Sequence, residues 1–516
     1  MINQIKDKLV YIFLLTLISI LITFYSGYRG VLPLDSFLIF NSGYNITIGY
    51  FPFKDYWSIT GPILDYIQYL FFLVFKINWF SYVLHAAIFN FIITIFTYYF
   101  LCKIGLKNYL SFLYSLGTAF LVYSQTGTPF MDHHSFIFSY LSVGFLSLGI
   151  LYRKNSFWFF SSFFLTLSFF SKQIPSAYFL ILSVILIILW LIIFRKDSLK
   201  NIFSFLFGFI VSLSLVFFVF LMSEIPIENF IIQYILYPLS LGEERSNNLR
   251  FDLNLISQFK LIYISIIPLF LSILYFYRKK NFLKNEFKNL IFLIFIIFTS
   301  FIFIYAQMMT KNQILIFGLI PLYLGISHFY NQNFFNKKII STCLITILLI
   351  SVSKYHLRYN YSKNFMDLDK VNFDLAVDAN ALDKKLSGLK WITPHYKDNP
   401  KKEIKLLLEA KQLLKSDSSN KILITNYQIM PSIIENDLAS PNKWYDYLSV
   451  PSKKNYFFKD YKIFFKKKLK ENKIKNIYIL GKKITYIDNI FEQNKCISYE
   501  QKTEILLKAN IEKCNL

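Results

Sequence analysis

Residues 62–78 read PILDYIQYLFFLVFKIN, and the architecture of the chain turns on whether this run crosses a membrane. It is apolar enough to do so and sits at the lower limit of about 17 residues for a span. Around it lie apolar blocks at 9–25, 81–101, 109–124, 136–151, 157–170, 175–194, 202–222, 261–277, 289–306, 313–330 and 338–353. With these eleven as spans and a cytoplasmic N-terminus, the inner loops carry Lys103 and Lys107, then Arg153 and Lys154, then Arg195, Lys196 and Lys200. Further inner loops carry Arg278, Lys279, Lys280, Lys284 and Lys288, and finally Lys337 and Lys338. The alternate loops are poorer: Arg29, Lys54 and Lys76 over a long first loop (26–80), none over 125–135, then Lys172, Arg245, Arg250 and Lys311. That alternation is the excess of Lys and Arg found on cytoplasmic loops. Counting 62–78 as a span would invert it. The segment is therefore expected to lie flat on the outer surface, an interfacial helix with Asp65, Gln68 and Lys76 towards water.

Composition agrees with a polytopic helical membrane protein. The chain of 516 residues is 55% hydrophobic, with Phe 59 and Tyr 37 gathered in blocks of about the length that spans a bilayer. The formal charge of +24 raises nucleic-acid binding, but much of the Lys and Arg lies in short loops between apolar blocks. There it orients the protein and meets anionic lipid, so no nucleic-acid partner is expected. Residues 1–25 resemble a signal peptide, yet no small-x-small cleavage site precedes the GYRGVLP turn, and an uncleaved first span is expected. After residue 353 the spans stop. Residues 354–516 hold β-like runs such as KILIT (421–425) and NIYIL (476–480) and helical patterning in EIKLLLEAKQLL (403–414). A soluble α/β domain of about 160 residues follows, large enough for its own core and placed outside the cytoplasm by an odd number of spans. Cys496 and Cys514 lie in it and form either a disulfide or two free thiols.

Upstream of 62–78 the stretch from Pro33 runs PLDSFLIFNSGYNITIGYFPFKDYWSITGPILDY to Tyr66. Asp35 falls about one helical turn beyond the first span. It reads equally as a general base, taking a proton from an acceptor hydroxyl or amine, or as the N-cap of the apolar helix that follows. Asp55, with Tyr56 and Trp57 beside it after Pro52, reads as part of a site that positions donor, acceptor or a metal, or as a turn former. Asp132 in the second outer loop, TGTPFMDHHSF, is expected to face the same cleft as Asp35, with His133 a further positioning candidate. A metal reading of Asp-His-His is disfavoured, because adjacent helical histidines point about 100° apart and lack i, i+4 spacing. Lys172 and Gln173 interrupt two apolar blocks, as Lys311 does later. Such lysines either snorkel or neutralise a lipid-borne phosphate. Arg245 is a candidate for a diphosphate contact or a member of a solvated loop. No Walker A, GxGxxG, GxSxG or HExxH motif occurs.

Together these parts resemble the GT-C superfamily, the multi-span glycosyltransferases that use polyprenyl-phosphate-linked sugars, and among them the protein mannosyltransferase and aminoarabinose-transferase families. The residues that carry the resemblance are Asp35 after the first span, GYFPFKDYW…GPILDY, Asp132 and Lys172, over about residues 8–190. The resemblance implies a GT-C-like membrane domain over 1–353 and transfer from a polyprenyl-phosphate donor to a lipid, glycan or protein acceptor. It implies Asp35 as base, inversion at the anomeric centre, and a bacterial inner-membrane location. Many relatives have Asp-Glu where this chain has Asp35-Ser36, so no cofactor is expected to be required, a divalent metal being the alternative. Two other classes stand beside the enzyme: a flippase of lipid-linked glycans, which would put ionisable groups near the bilayer midplane on broken helices, and a non-catalytic cell-envelope assembly protein.

Overall fold

The computed structural model describes the chain except for residues 1, 124, 195–198, 248–252, 279–283, 311–312, 436–437, 439, 447, 482–489, 492–495 and 515–516. Helix α1 (Ile2–Gly27) leads into the first loop, which carries α2 (Pro33–Ser36), α3 (Leu38–Thr47) and α4 (Ile63–Phe75). There follow α5 (Trp79–Ile104), α6 (Asn108–Leu121), α7 (Met131–Tyr152), α8 (Asn155–Phe169), α9 (Gln173–Phe194) and α10 (Leu199–Met222). Three short helices, α11 (Ile227–Phe230), α12 (Tyr237–Asn247) and α13 (Leu253–Ser257), precede α14 (Lys260–Arg278), α15 (Lys284–Thr310), α16 (Leu319–Tyr330) and α17 (Lys338–Tyr355).

Each of the eleven apolar blocks contains a helix among its described residues, as it must if it meets lipid, where every backbone polar group needs an internal partner. Among the described residues, 8 helices are long and apolar enough to cross a membrane. Helices α6, α8 and α16 have 14, 15 and 12 residues, shorter than a full span. Ile188, Phe207, Phe218 and Leu221 are exposed along α9 and α10, a belt too large and apolar to face water. Polar groups turn inward instead. Asn90 on α5 donates to the carbonyls of Ser19 and Ala119 and to the Thr23 hydroxyl, tying three helices together as interhelical polar contacts do in membranes.

The orientation expected for 62–78 holds for exposed Lys76 but fails for Asp65 and Gln68. With 13 residues α4 is too short to span, but Asp65 and Gln68 are fully buried, while Leu70, Leu73, Val74 and Phe75 form the exposed side. An amphipathic period fixes that two faces exist, not which medium each meets. Here the apolar face turns outward and the polar face finds partners inside the protein.

Beyond α17 the chain forms β1 (Val377–Asp378) antiparallel to β2 (Lys390–Trp391), then α18 (Pro400–Ser416), β3 (Lys421–Thr425), α19 (Met430–Ile434), α20 (Phe458–Glu471), β4 (Asn476–Leu480), β5 (Ser498–Gln501) and β6 (Leu506–Asn510). The larger sheet has the order β3-β4-β6-β5, with β3 and β4 parallel and the other pairs antiparallel. The strand runs and the helical run read from the sequence fall inside β3, β4 and α18. Helix α18 starts where Asn399 caps the Lys402 amide at 3.0 Å and Pro400 occupies the first turn, both favourable for initiation. It buries Ile404, Leu407, Ala410 and Leu414.

This sheet does not close a core of its own. Leu423, Tyr478 and Leu480 on one face belong to a cluster that continues through Trp391 and Phe37 into the membrane helices. On the other face Ile422, Ile424, Ile477 and Ile479 pack with Phe464 and Phe465, and also with Trp57 and Tyr237 from the first half of the chain. Cys496 and Cys514 are joined by a disulfide.

Candidate functional site

Chain direction gathers the candidates. Asp35 follows the C-terminal end of α1, Asp132 lies in the first turn of α7, and Lys172 lies between α8 and α9, so alternating helices bring all three to one end of the bundle. Close backbone approaches then fix them. A Cβ on Gly27 would lie 2.4 Å from the carbonyl oxygen of Gly127, so the start of the first loop meets the second loop with no room for a side chain. A Cβ on Gly61 would lie 1.8 Å from the Phe170 carbonyl oxygen, and the Gly61 amide donates to Ser171 at 3.1 Å. The Gly61-Pro62 turn is thereby seated directly before Lys172.

Asp35 is not a helix cap. It occupies the first turn of α2, and neither α2 nor α3 has a side-chain cap. Among the described residues no hydrogen bond or ion pair engages its carboxylate. Burial, and then the charges of Asp446, Asp132 and Asp367 in that order, push it up to about 7. Loss of water disfavours the carboxylate, and like charges add to the effect. Tyr82 of α5 also faces it. Asp132 is buried and forms an ion pair with Lys172, whose side chain is 19% exposed.

The other candidates separate into groups. Asp55 accepts from the Phe51 amide at 2.9 Å and lies 3.6 Å from Lys468 of α20: it shapes a turn and holds the C-terminal part. Trp57 does the same, packing edge-on to Tyr461 and Phe464, and Tyr56 is buried beside it with its hydroxyl lacking a partner among the described residues. These three do not join Asp35. His133 is buried and stacked on Tyr123 at 4.6 Å, away from any surface a substrate could reach. His134 joins a sealed chain of hydrogen bonds, from Tyr123 hydroxyl to its Nδ1 (2.9 Å), from its Nε2 to His85 Nε2 (2.9 Å), and from His85 Nδ1 to Gln68 Oε1 (2.9 Å). Gln173 donates to the carbonyls of Ile59 and Tyr234 at 3.1 and 2.6 Å, pinning the first loop. Arg245, on α12, faces the Tyr237 hydroxyl, where its charge opposes those of Glu244 and Asp446. Lys311 lies outside the described residues. Among the described residues no group of three or more His, Cys, Asp and Glu side chains is set to hold a metal ion.

Sequence reasoning missed the C-terminal contribution. The Lys443 amide donates to the Trp57 carbonyl (2.9 Å) and the Trp57 amide to Pro441 (2.8 Å). Trp444 Nε1 donates to the carbonyl of Leu34, next to Asp35, at 3.0 Å. Asp446 follows two residues later and is the strongest charge acting on Asp35. Asp367 follows the turns beyond α17, held by left-handed backbone at Lys363 and Asp367 (φ 52° and 57°). Asp446 stands in NKWYDY, an aromatic cluster around one acid in a lysine-rich tract, and that local contrast was its only signal.

Fold and site thus define a helical membrane protein with a carboxylate cluster at one end of its bundle, completed by a C-terminal α/β part. No family model and no curated protein matches the chain. Among solved structures it is similar to the archaeal oligosaccharyltransferase AglB from Archaeoglobus fulgidus, in complex with an inhibitory peptide and a dolichol-phosphate. The identity is 11%, the match covers 99% of this chain and 75% of that one, and the TM-score is 0.44.

Proposed function

We propose that this chain is a membrane glycosyltransferase that moves a sugar from a polyprenyl-phosphate carrier to an acceptor hydroxyl or amine of a lipid, glycan or protein outside the cytoplasm. The observation that carries the reading is Asp35: a carboxylate without a hydrogen bond among the described residues, raised to about 7, beside an acid–lysine pair at the end of a membrane bundle. A base with pKa near the working pH combines a useful deprotonated fraction with useful proton affinity. As the acceptor oxygen or nitrogen attacks the anomeric carbon, its proton passes to Asp35. The bond from that carbon to the phosphate oxygen breaks, and the electron pair leaves with the carrier phosphate. One displacement inverts the centre. Positive charge develops on the sugar and negative charge on the leaving phosphate. The carboxylate cluster suits the first, and Lys172, paired with Asp132 beside Asp35, would suit the second, with Arg245 a further candidate.

This reading puts the N-terminus in the bacterial cytoplasm and the C-terminal part outside the inner membrane, in keeping with the Cys496–Cys514 disulfide, which persists in oxidising compartments. Profiling of lipid-linked glycans and lipopolysaccharide in a deletion strain tests the proposal. Loss of one sugar from the envelope with accumulation of its carrier-linked form is the expected result. Accumulation of an intact, inward-facing lipid glycan would mean flipping instead, and an unchanged profile would remove the enzyme.

A further inference from the structure

The sealed acid–lysine pair between α4 and the loop before α20 has no part in the chemistry proposed above. Lys443 Nζ donates to both carboxylate oxygens of Asp65 at 2.7 Å, and Ser42 Oγ donates to one of them at 2.7 Å. Their side chains are 2% and 0% exposed. Partners 378 residues apart meet in a place where each alone would be an uncompensated buried charge, which costs several kcal/mol per ion. Such a pair adds little net stability over an apolar one of equal volume. Its known use is to admit one arrangement and reject others.

What it arranges is the loop that reaches Asp35. Lys443 holds Asp65 and its neighbour Trp444 holds the Leu34 carbonyl, so two consecutive residues clamp both ends of the stretch from Leu34 to Asp65. The loop is tied down on either side, by Gln428 Nε2 on the Lys443 carbonyl at 2.7 Å and by the Tyr237 hydroxyl on the Leu448 carbonyl at 2.9 Å. Asp446 lies between these ties. We propose that Lys443 and Asp65 are positioning residues, a latch that seats the C-terminal loop on the first loop and thereby sets the charge of Asp446 against Asp35.

The inference rests on Asp35 being the base. The groups facing Asp35 are Asp446 from the C-terminal loop, Asp132 from α7 with Lys172 upon it, Asp367 after the last membrane helix, and Tyr82 from α5. With the latch intact, transfer should rise with pH through about 7, because the base must be deprotonated. Releasing the loop withdraws the first of three repelling charges, so the midpoint moves towards the ordinary carboxylate range.

The test uses the full-length protein in detergent or vesicles, with wild type, D446N, the charge-free pair D65L/K443L, and the triple variant. Single removal of Lys443 leaves a buried carboxylate and is expected to fold poorly, whereas D65L/K443L removes both charges at once. Two readouts are taken: amide exchange by mass spectrometry over 441–449, and the pH midpoint of transfer. Faster exchange in D65L/K443L, a lower midpoint in both D65L/K443L and D446N, and no further shift in the triple variant are expected, since both changes then act through one charge. Faster exchange with an unmoved midpoint, or shifts that add in the triple variant, would overturn positioning. Unchanged exchange would overturn the latch itself. Normal transfer by D35N would defeat the base assignment separately, with the exchange result still reporting on the latch.

Discussion

Two acid–lysine pairs lie near one end of this molecule and differ in nearly everything but chemistry. Asp132–Lys172 joins helices adjacent in sequence and leaves its lysine 19% exposed. Asp65–Lys443 joins the first loop to the C-terminal part and is closed to solvent. An ammonium at a lip can exchange its carboxylate for a substrate phosphate, because it loses only part of its hydration in either state. A sealed ammonium cannot, since any exchange would strand a buried charge. Under the function proposed above, the first pair would serve turnover and the second architecture.

The largest effect expected from breaking this contrast is on stability. K443A should cost on the order of 3–5 kcal/mol by stranding Asp65, read as a fall in melting temperature, with D65L/K443L recovering most of it. If K172A destabilises as much as K443A, the distinction fails. Next comes turnover: K172M and D132N should each lower transfer roughly 10²-fold, the scale for removing one charged stabiliser of a transition state, with a smaller fall in melting temperature than K443A because Lys172 is partly exposed. A raised KM for the lipid donor in K172M but not in D132N would sharpen the assignment of Lys172 to the phosphate.

A smaller effect has a defined sign. The carboxyl of Asp35 is raised from 3.8 to about 7 in the folded state, so the folded state holds this proton more tightly than the unfolded one. Stability therefore falls as pH rises from about 4 to about 7 and stays lower above that. D35N should be more stable than wild type at pH 8, on the order of 1–3 kcal/mol, with the gain vanishing near pH 4; equal melting temperatures at pH 8 would show an unperturbed carboxyl. The smallest change is expected from K468M. Its partner Asp55 keeps the bond from the Phe51 amide, so the loss should be about 1 kcal/mol or less.

Legibility in the sequence followed the range of the physics involved. The membrane helices, β3, β4 and α18 depend on local period and length, and they lie where those patterns predict. Asp35, Asp132 and Lys172 were found because a charge at the edge of an apolar block is conspicuous against its surroundings. The facing of α4 was misread because lipid reverses the rule learned from water, and no property of PILDYIQYLFFLVFKIN says which medium lies on which side. The bond from Lys443 to Asp65 and the approach of Asp446 to Asp35 were beyond reach, since a single sequence holds no trace of pairing over hundreds of residues. Trp57 stood out in the sequence through its proximity to Asp55, whereas its packing partners Tyr237, Tyr461 and Phe464 are distant in the chain.

Transfer itself is the most direct measurement. Vesicles holding wild type, D35N or D35E are given carrier-linked sugar extracted from the deletion strain, and incorporation into acceptor is followed at pH 8. The account predicts that D35N folds, inserts and loses at least about 10²-fold of activity, the scale of a general base, while D35E retains a measurable part and EDTA changes neither. Wild-type transfer by D35N would contradict it.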